Sequence, residues 1–207
     1  MKRIIKTVII SSIICSAVFS TFAVRAQFSI GARAGANLAT LNGNNNVYHR
    51  MLARFYGGLF ANYKTTSPFA LQLELNYVGA GANLSASSSS ATNDRIKANY
   101  LAVPLLAQYK FRFGGYIELG PQLGFLLSAN EVFDGTATDI KQNIKSTDFE
   151  GVLGLGYELN KTQLAGLGIN IRWIRGITDI SKTPSGDGKI TNRGLNIGLT
   201  YRLGQHK

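Results

Sequence analysis

The sequence predicts an all-β fold, an eight-stranded antiparallel up-and-down transmembrane β-barrel. Three observations carry this. Apolar and polar residues alternate with a period of two along nearly the whole chain, connections between the alternating segments are short and long by turns, and aromatic side chains gather at both ends of the apolar face.

The first 26 residues stand apart from that pattern. MKRIIK is basic without an acid, TVIISSIICSAVFSTFAV is apolar but broken by small residues, and Val24-Arg25-Ala26 offers compact side chains where a signal peptidase reads. A secretory signal peptide over residues 1–26, cleaved before Gln27, is the expectation, with residues 27–207 forming one barrel domain. A single membrane anchor is the alternative, and the Ser and Thr within the run argue against it. Cys15 lies in this leader behind Ile14, where a lipoprotein signal needs a small residue. The exported chain is then expected to carry no thiol, which excludes disulfides, Cys metal sites and Cys nucleophiles.

Loss of Lys2, Arg3, Lys6 and Arg25 leaves 18 basic against 11 acidic residues, a net +7. For an exported chain this points away from nucleic acid and toward phosphorylated lipid or acidic glycan. No later run of 18 or more apolar residues exists, so no membrane-spanning helix is expected.

Eight segments alternate. In FSIGARAGANL, Phe28, Ile30, Ala32, Ala34, Ala36 and Leu38 share one face, with Ser29, Gly31, Arg33, Gly35 and Asn37 on the other. FYGGLFANY (55–63), FALQLELNY (69–77), YLAVPLLAQYKF (100–111), YIELGPQLGFLL (116–127), DFEGVLGLGYEL (148–159), LAGLGINIRWI (164–174) and GLNIGLTYRL (194–203) follow the same rule. Each is near the 9–11 residues that a tilted strand needs to cross a bilayer. The links 65–68, 112–115 and 160–162 are tight, whereas 39–53, 83–94, 130–147 and 177–192 are long and polar. Short turns at one end and long loops at the other suit an outer-membrane barrel, although a soluble lipocalin-like barrel also alternates.

Aromatic placement separates the two. Phe28, Tyr63, Phe69, Tyr109, Tyr157 and Tyr201 fall near the short-turn end, and Phe55, Tyr77, Phe125, Phe149 and Trp173 near the long-loop end, all on the apolar face. Two belts on one face match two membrane interfaces, while a soluble core would spread its aromatics through the middle. The opposite face carries Arg33, Gln72, Glu74, Asn76, Glu118, Gln122, Glu150, Glu158, Asn170, Arg172, Asn196 and Arg202 among glycines. Eight strands enclose only enough space for side chains, so these groups must pair with one another or with trapped water. That predicts a packed polar lumen, not a general-diffusion pore.

Within YLAVPLLAQYKF, Leu101, Val103, Leu105, Ala107 and Tyr109 fall on the lipid side, and Tyr100, Ala102, Pro104, Leu106 and Gln108 on the lumen side. Pro104 cannot donate to a ladder, and a closed barrel has no edge to shelter it. A bulge is expected there, matched by Pro121 on the neighbouring strand.

Near the C-terminus, Asn196, Gly198, Tyr201 and Leu203 set a polar, glycine, aromatic, hydrophobic spacing that resembles the recognition signal of bacterial outer-membrane barrels, although GQHK follows it. Assembly machinery could capture this last strand by edge pairing before closure. With FSIGARAGANLA, YLAVPLLAQYKF, YIELGPQLGFLL, DFEGVLGLGYEL and IRWIRGITDI, the mature chain resembles the Bacteroidota outer-membrane β-barrel family labelled porin-family or PorT-family, an OmpA/OmpX-like barrel type. The resemblance implies an eight-stranded barrel with a periplasmic N-terminus, and through PorT a possible part in a secretion or assembly machine.

Function classes divide on the loops. Arg50, Arg54, Arg95, Lys97, Lys141, Lys145, Arg175, Lys182, Lys189 and Arg193 map to the long loops or strand tops, a candidate rim for the phosphates of outer-membrane lipid and lipopolysaccharide. Ordinary solvated loop charge is the alternative reading, and a protein partner could also engage these loops. A lipid-modifying enzyme needs a nucleophile with a base held by a partner. The mature chain offers only His49 and His206 with no Ser-His-acid spacing, so the expectation is no enzyme and no catalytic residue. No cofactor is expected. Asp134, Asp139, Asp179 and Asp187 follow no calcium-loop spacing, so no metal site is expected either.

Overall fold

The computed structural model describes residues 27–43, 48–65, 68–85, 94–159, 164–182 and 189–203. The expected leader, Met1 to Ala26, lies outside them, as do His206, Asp187, Ser87 to Ser90 and the side chain of His49.

Among the described residues ten strands form: β1 (Phe28–Asn42), β2 (Tyr48–Arg50), β3 (Leu52–Lys64), β4 (Phe69–Ser85), β5 (Arg95–Lys110), β6 (Gly115–Phe133), β7 (Thr136–Asp139), β8 (Thr147–Glu158), β9 (Leu167–Gly176) and β10 (Thr191–Arg202). Eight of them close the barrel through antiparallel pairs between β1 and β3, β3 and β4, and so on to β9 and β10. Closure is the seam at β1, which is paired along both edges. It runs from Phe28↔Tyr63 to Ala39↔Leu52 on one side and from Gly31↔Arg202 to Asn42↔Thr191 on the other. No barrel strand therefore presents an open edge to lipid, where an unpaired N–H or C=O costs several kcal/mol. β2 and β7 are flaps, paired only to the projecting ends of β4 and β6.

The period-two reading sorts the two faces correctly. All eleven residues of the expected belts are exposed on the outer surface, and Leu59, Leu73, Leu119, Leu155, Ile169 and Leu199 fill the band between. All twelve polar residues assigned to the lumen are buried. β9 begins three residues later than expected, because Leu164–Gly166 form a turn in which the Gly166 N–H donates to Leu159 O. Gly166 adopts φ +93°, a left-handed conformation that side chains disfavour.

The proline expectation is overturned. Rungs resume in unchanged register on both sides of Pro104: Leu73↔Leu105 and Asn76↔Ala102 toward β4, Pro104↔Gln122 and Ala107↔Leu119 toward β6. Two residues per strand go unpaired at each proline, and no residue is inserted. The ladder omits the rungs a proline nitrogen cannot make, and the neighbouring pairs hold the register. The bulge lies higher, at Asn99/Tyr100, where Asn99 faces Ser128 but Tyr100 faces Leu126.

At 17, 16 and 19 residues, β4, β5 and β6 are longer than a bilayer crossing needs, so their loop ends project beyond the upper aromatic belt. Asp134 and Gly135, both at positive φ, form the two-residue turn from β6 to β7. Inside the projection the filling becomes apolar. Leu41, Ala82 and Ile180 pack with Ile96, Ile144 and Ile190 to roof the barrel. The roof is stitched by Lys145 N–H to Ile180 O (2.8 Å), Lys182 N–H to Asn143 O (3.0 Å) and Ile180 N–H to Ile190 O (2.9 Å). The Ser181 N–H above all, then the Ile190 N–H and the charges of Lys145 and Lys189, hold the Asp179 carboxyl below its usual value.

Candidate functional site

Two arrangements matter: the charges sealed inside the barrel and the charges on its outer rim. In the lumen, the Arg172 guanidinium forks to both oxygens of Glu74 (2.7 Å each) and also grips Glu118 through Nε and Nη2. Arg33 Nη1 reaches the same Glu74 at 2.7 Å, and its guanidinium lies 5.0 Å from the centre of the Tyr56 ring. Two arginines and two glutamates thus neutralise one another on four different strands. Amides satisfy the remaining lone pairs, with Gln72 Nε2 and Asn76 Nδ2 donating to Glu74 and Gln108 Nε2 to Glu118. Toward the short-turn end, Arg202 binds both oxygens of Glu158 at 2.7 and 2.9 Å. In a water-poor interior each of these charges is tolerated only because its partner is present.

Large rings complete the fill where glycines make room. Tyr56 lies against Gly198, Tyr116 against Gly156 and Phe60 against Gly31, and a Cβ at any of the three would collide with its ring. The abundance of glycine on the lumen face is therefore a packing requirement.

At the loop end the rim has an order that the sequence alone does not show. Directly paired residues share a face, so β4 and β5 present successive rows above the Tyr77–Leu101–Phe125 belt. The first row is Gly79–Asn99–Ser128, the next Gly81–Lys97–Asn130, and the highest Arg50–Asn83–Arg95. Their inward neighbours Ala80, Ala82, Ala98 and Tyr100 are buried, which places these rows on the outer surface. Arg54 joins them by crossing β4 where Gly79 has no side chain. Its Nη2 donates to Asn99 Oδ1 at 2.7 Å, and Asn99 Nδ2 donates to Ser128 Oγ at 2.8 Å. Arg54 and Arg95 lie within electrostatic range of Lys97. Across the barrel, Arg175 and Arg193 oppose each other one step above the Trp173–Leu195 pair.

The other four rim residues surround the roof. Lys141 lies in the 3-10 turn Lys141–Asn143, where its Nζ donates to Leu127 O at 2.8 Å. With Lys182 it borders a cleft of about 330 Å³, while Lys145 and the exposed Lys189 flank Asp179. All ten predicted rim residues thus lie at the loop end, but only Arg50, Arg54, Arg95 and Lys97, and separately Arg175 with Arg193, form groups on the outer wall. Among the described residues Lys145 alone of the ten has a carboxylate in ion-pair range, Asp179 at 4.0 Å. Like charges set side by side without a protein counter-ion are unfavourable unless an external anion neutralises them.

At the C-terminal signature, Asn196 is buried in the lumen, Gly198 packs against Tyr56, and Tyr201 and Leu203 face outward. Asp148 was not among the expected lumen residues. It shares parity with Glu150 and is likewise buried, so the alternation could have revealed it.

A family model described as outer membrane protein beta-barrel domain matches residues 21–182. The chain belongs to that family. It is an outer-membrane β-barrel of eight transmembrane strands. No curated protein matches it. Among solved structures it is similar to Ail, the attachment invasion locus protein of Yersinia pestis, at 12% identity and TM-score 0.50 over 86% of this chain and 100% of that one. Neisserial surface protein A aligns at 12% identity and TM-score 0.47, covering 85% of this chain and 97% of that one. OprG from Pseudomonas aeruginosa aligns at 16% identity and TM-score 0.42, covering 86% and 95%. At these identities the likeness to Ail is one of fold.

Proposed function

We propose that this outer-membrane barrel is a closed structural and interaction barrel whose outer rim holds the phosphates of lipopolysaccharide. The observation that carries the reading is the set of cations, without a carboxylate partner among the described residues, stacked in rows directly above the upper aromatic belt. That belt fixes the height at which headgroups begin. A barrel oriented by its aromatics therefore brings Arg54, Lys97 and Arg95 to the level of lipid phosphate, where each cation contributes about 1 kcal/mol. Asn83, Asn99, Ser128 and Asn130 supply neutral hydrogen-bonding groups around them.

The test is lipopolysaccharide retained per barrel after detergent extraction from outer membranes. With Arg54→Ala, Arg95→Ala and Lys97→Ala combined, the loss of three contacts of about 1 kcal/mol each weakens association roughly 100-fold. The variant still folds, because none of the three contributes to the lumen network. Unchanged co-purification would remove the rim from the account.

The non-pore half of the proposal rests on the filled interior. The arginine-glutamate network occupies the cross-section, and the isoleucine roof covers it. In planar bilayers the purified barrel is expected to pass no current above leak. Steady single-channel steps would show that the network opens. Selective recognition then resides in the loops and rim, and the C-terminal signature is read as the handle for assembly machinery.

A further inference from the structure

The carboxylates inside the barrel are not treated alike. Glu74, Glu118 and Glu158 each meet an arginine. Asp148 and Glu150, higher in the lumen, meet none among the described residues, yet both are buried and their carboxyl groups lie against each other. Their neighbours are neutral donors: Gln122 Nε2 to Glu150, Asn192 Nδ2 to Asp148 Oδ2 at 2.8 Å, and Thr178 Oγ1 to Asp148 Oδ1 at 2.7 Å. Hydrogen bonds of this kind do not cancel two negative charges in a low-dielectric interior.

A second feature points the same way. Beside this pair lies a cavity of about 20 Å³ bordered by Asn37, Tyr100, Gln122, Glu150, Asn192 and Arg193. Asn37 and Asn192 are almost fully buried, and the Oδ1 of each has no partner. Their orientation is set by the other end of each amide. Asn37 Nδ2 donates to Gly79 O at 2.7 Å, and Asn192 Nδ2 serves Asp148 and, at 3.3 Å, Tyr100 Oη. Asn37 Oδ1 also sits where a side chain at Gly194, another cavity residue, would need to go. Arg193, between Asn192 and Gly194 on β10, also borders the cavity, but its parity carries the side chain to the outer wall with Arg175, and among the described residues it forms no ion pair to either acid.

The Glu150 carboxyl and two amides whose oxygens lack partners border the small void, and the Asp148 carboxyl lies against Glu150; together they form an all-oxygen donor set, the preference of hard divalent cations. We infer that Asp148 and Glu150, with the carbonyl oxygens of Asn37 and Asn192, bind one calcium-class cation in the upper lumen. Calcium is favoured over magnesium because it accepts irregular oxygen cages. Magnesium keeps several waters in a strict octahedron, and the void has room for about one. An ion here would join β1, β8 and β10 beneath the roof and fix the base of the last long loop through Thr178.

The experiment uses the full barrel refolded into detergent without lipopolysaccharide, so that rim-bound lipid cannot contribute. After treatment with a chelator, calcium chloride alone is titrated by calorimetry and by thermal melting. The expected result is one calcium per barrel and a higher unfolding midpoint. In Asp148→Asn/Glu150→Gln, calcium affinity falls at least tenfold and the midpoint no longer responds. Glu150→Gln alone serves where the double variant folds poorly, and the heat-dependent gel shift confirms folding in either case. A wild-type barrel indifferent to calcium, or an equal response in both proteins, would overturn the inference. So would a midpoint that rises only on acidification in chelator, because a shared proton would then neutralise the pair.

Discussion

Arg172→Met is expected to destabilise the barrel by about 3–5 kcal/mol, the cost of removing one partner from a buried ion pair. The side chain is 2% exposed and, among the described residues, is the only one that hydrogen-bonds both Glu74 and Glu118. Methionine has similar volume, so packing is largely conserved and the loss is electrostatic. Glu74 keeps Arg33, but Glu118 is left with Gln108 Nε2 as its donor. Arg172→Lys should recover little, because a compact ammonium cannot grip two carboxylates with a planar fork. Arg172→Met combined with Glu118→Gln should recover a large part, because it removes the stranded charge as well. The folded fraction across a urea series, read from the difference between unboiled and boiled gel mobility, measures each step. A loss below about 1 kcal/mol for Arg172→Met would show that trapped water neutralises the carboxylates and that the network is not what holds the lumen together.

The barrel was legible because lipid enforces its pattern more strictly than water does. A strand with lipid on one side and a filled lumen on the other must alternate, and Leu71, Leu73 and Leu75 against Gln72, Glu74 and Asn76 do so without exception. Loop ends obey no such rule. Beyond the upper belt, Ala80, Ala82 and Ala98 still point inward, but their outward partners are glycine, asparagine and lysine. Parity there no longer separates apolar from polar, so strand lengths and the flaps β2 and β7 could not be read. That ten charges sit at the loop end is legible in the sequence, but their division into groups is not. Which cations share a row depends on register, and the route of Arg54 depends on the missing side chain of Gly79. Pro104 misled for a related reason. The sequence reveals a missing donor, but whether a ladder answers with a bulge or with skipped rungs is decided by the strands on either side.

The lumen and the rim place opposite demands on charge. Inside, Arg33 and Arg172 are matched to Glu74 and Glu118 because no solvent is available to screen an error. Outside, Arg54, Arg95 and Lys97 have no carboxylate in ion-pair range among the described residues. Asp148 and Glu150 break the inner rule in the same way that the rim cations break the expected outer one. The proposed cation would balance the first and the proposed lipid phosphate the second.

Gly198→Val is expected to prevent the β1–β10 seam from closing in most molecules. Gly198 pairs with Gly35 across that seam, and a side chain on it would strike the Tyr56 hydroxyl and come within 2.5 Å of Ala34 O. The ring cannot retreat easily, since Tyr56 is fully buried and its hydroxyl accepts from Arg33 Nη2 at 3.2 Å. The carbonyl cannot move without breaking the ladder. Overpacking costs about 1–3 kcal/mol where neighbours can shift, and here neither the ring nor the carbonyl can, so the cost exceeds that range. Tyr56→Ala added to Gly198→Val should therefore rescue only part of the loss, because the contact with Ala34 persists. Gly151→Ala is the matched control: the nearest atom to its new methyl is Ile177 Cδ1 at 3.9 Å, and stability should be unchanged. Refolding the purified chains into detergent separates two roles for this glycine. If Gly198 mattered only as part of the C-terminal signature, valine would refold normally without assembly machinery and fail only in cells. Failure in detergent alone places the requirement in the seam itself.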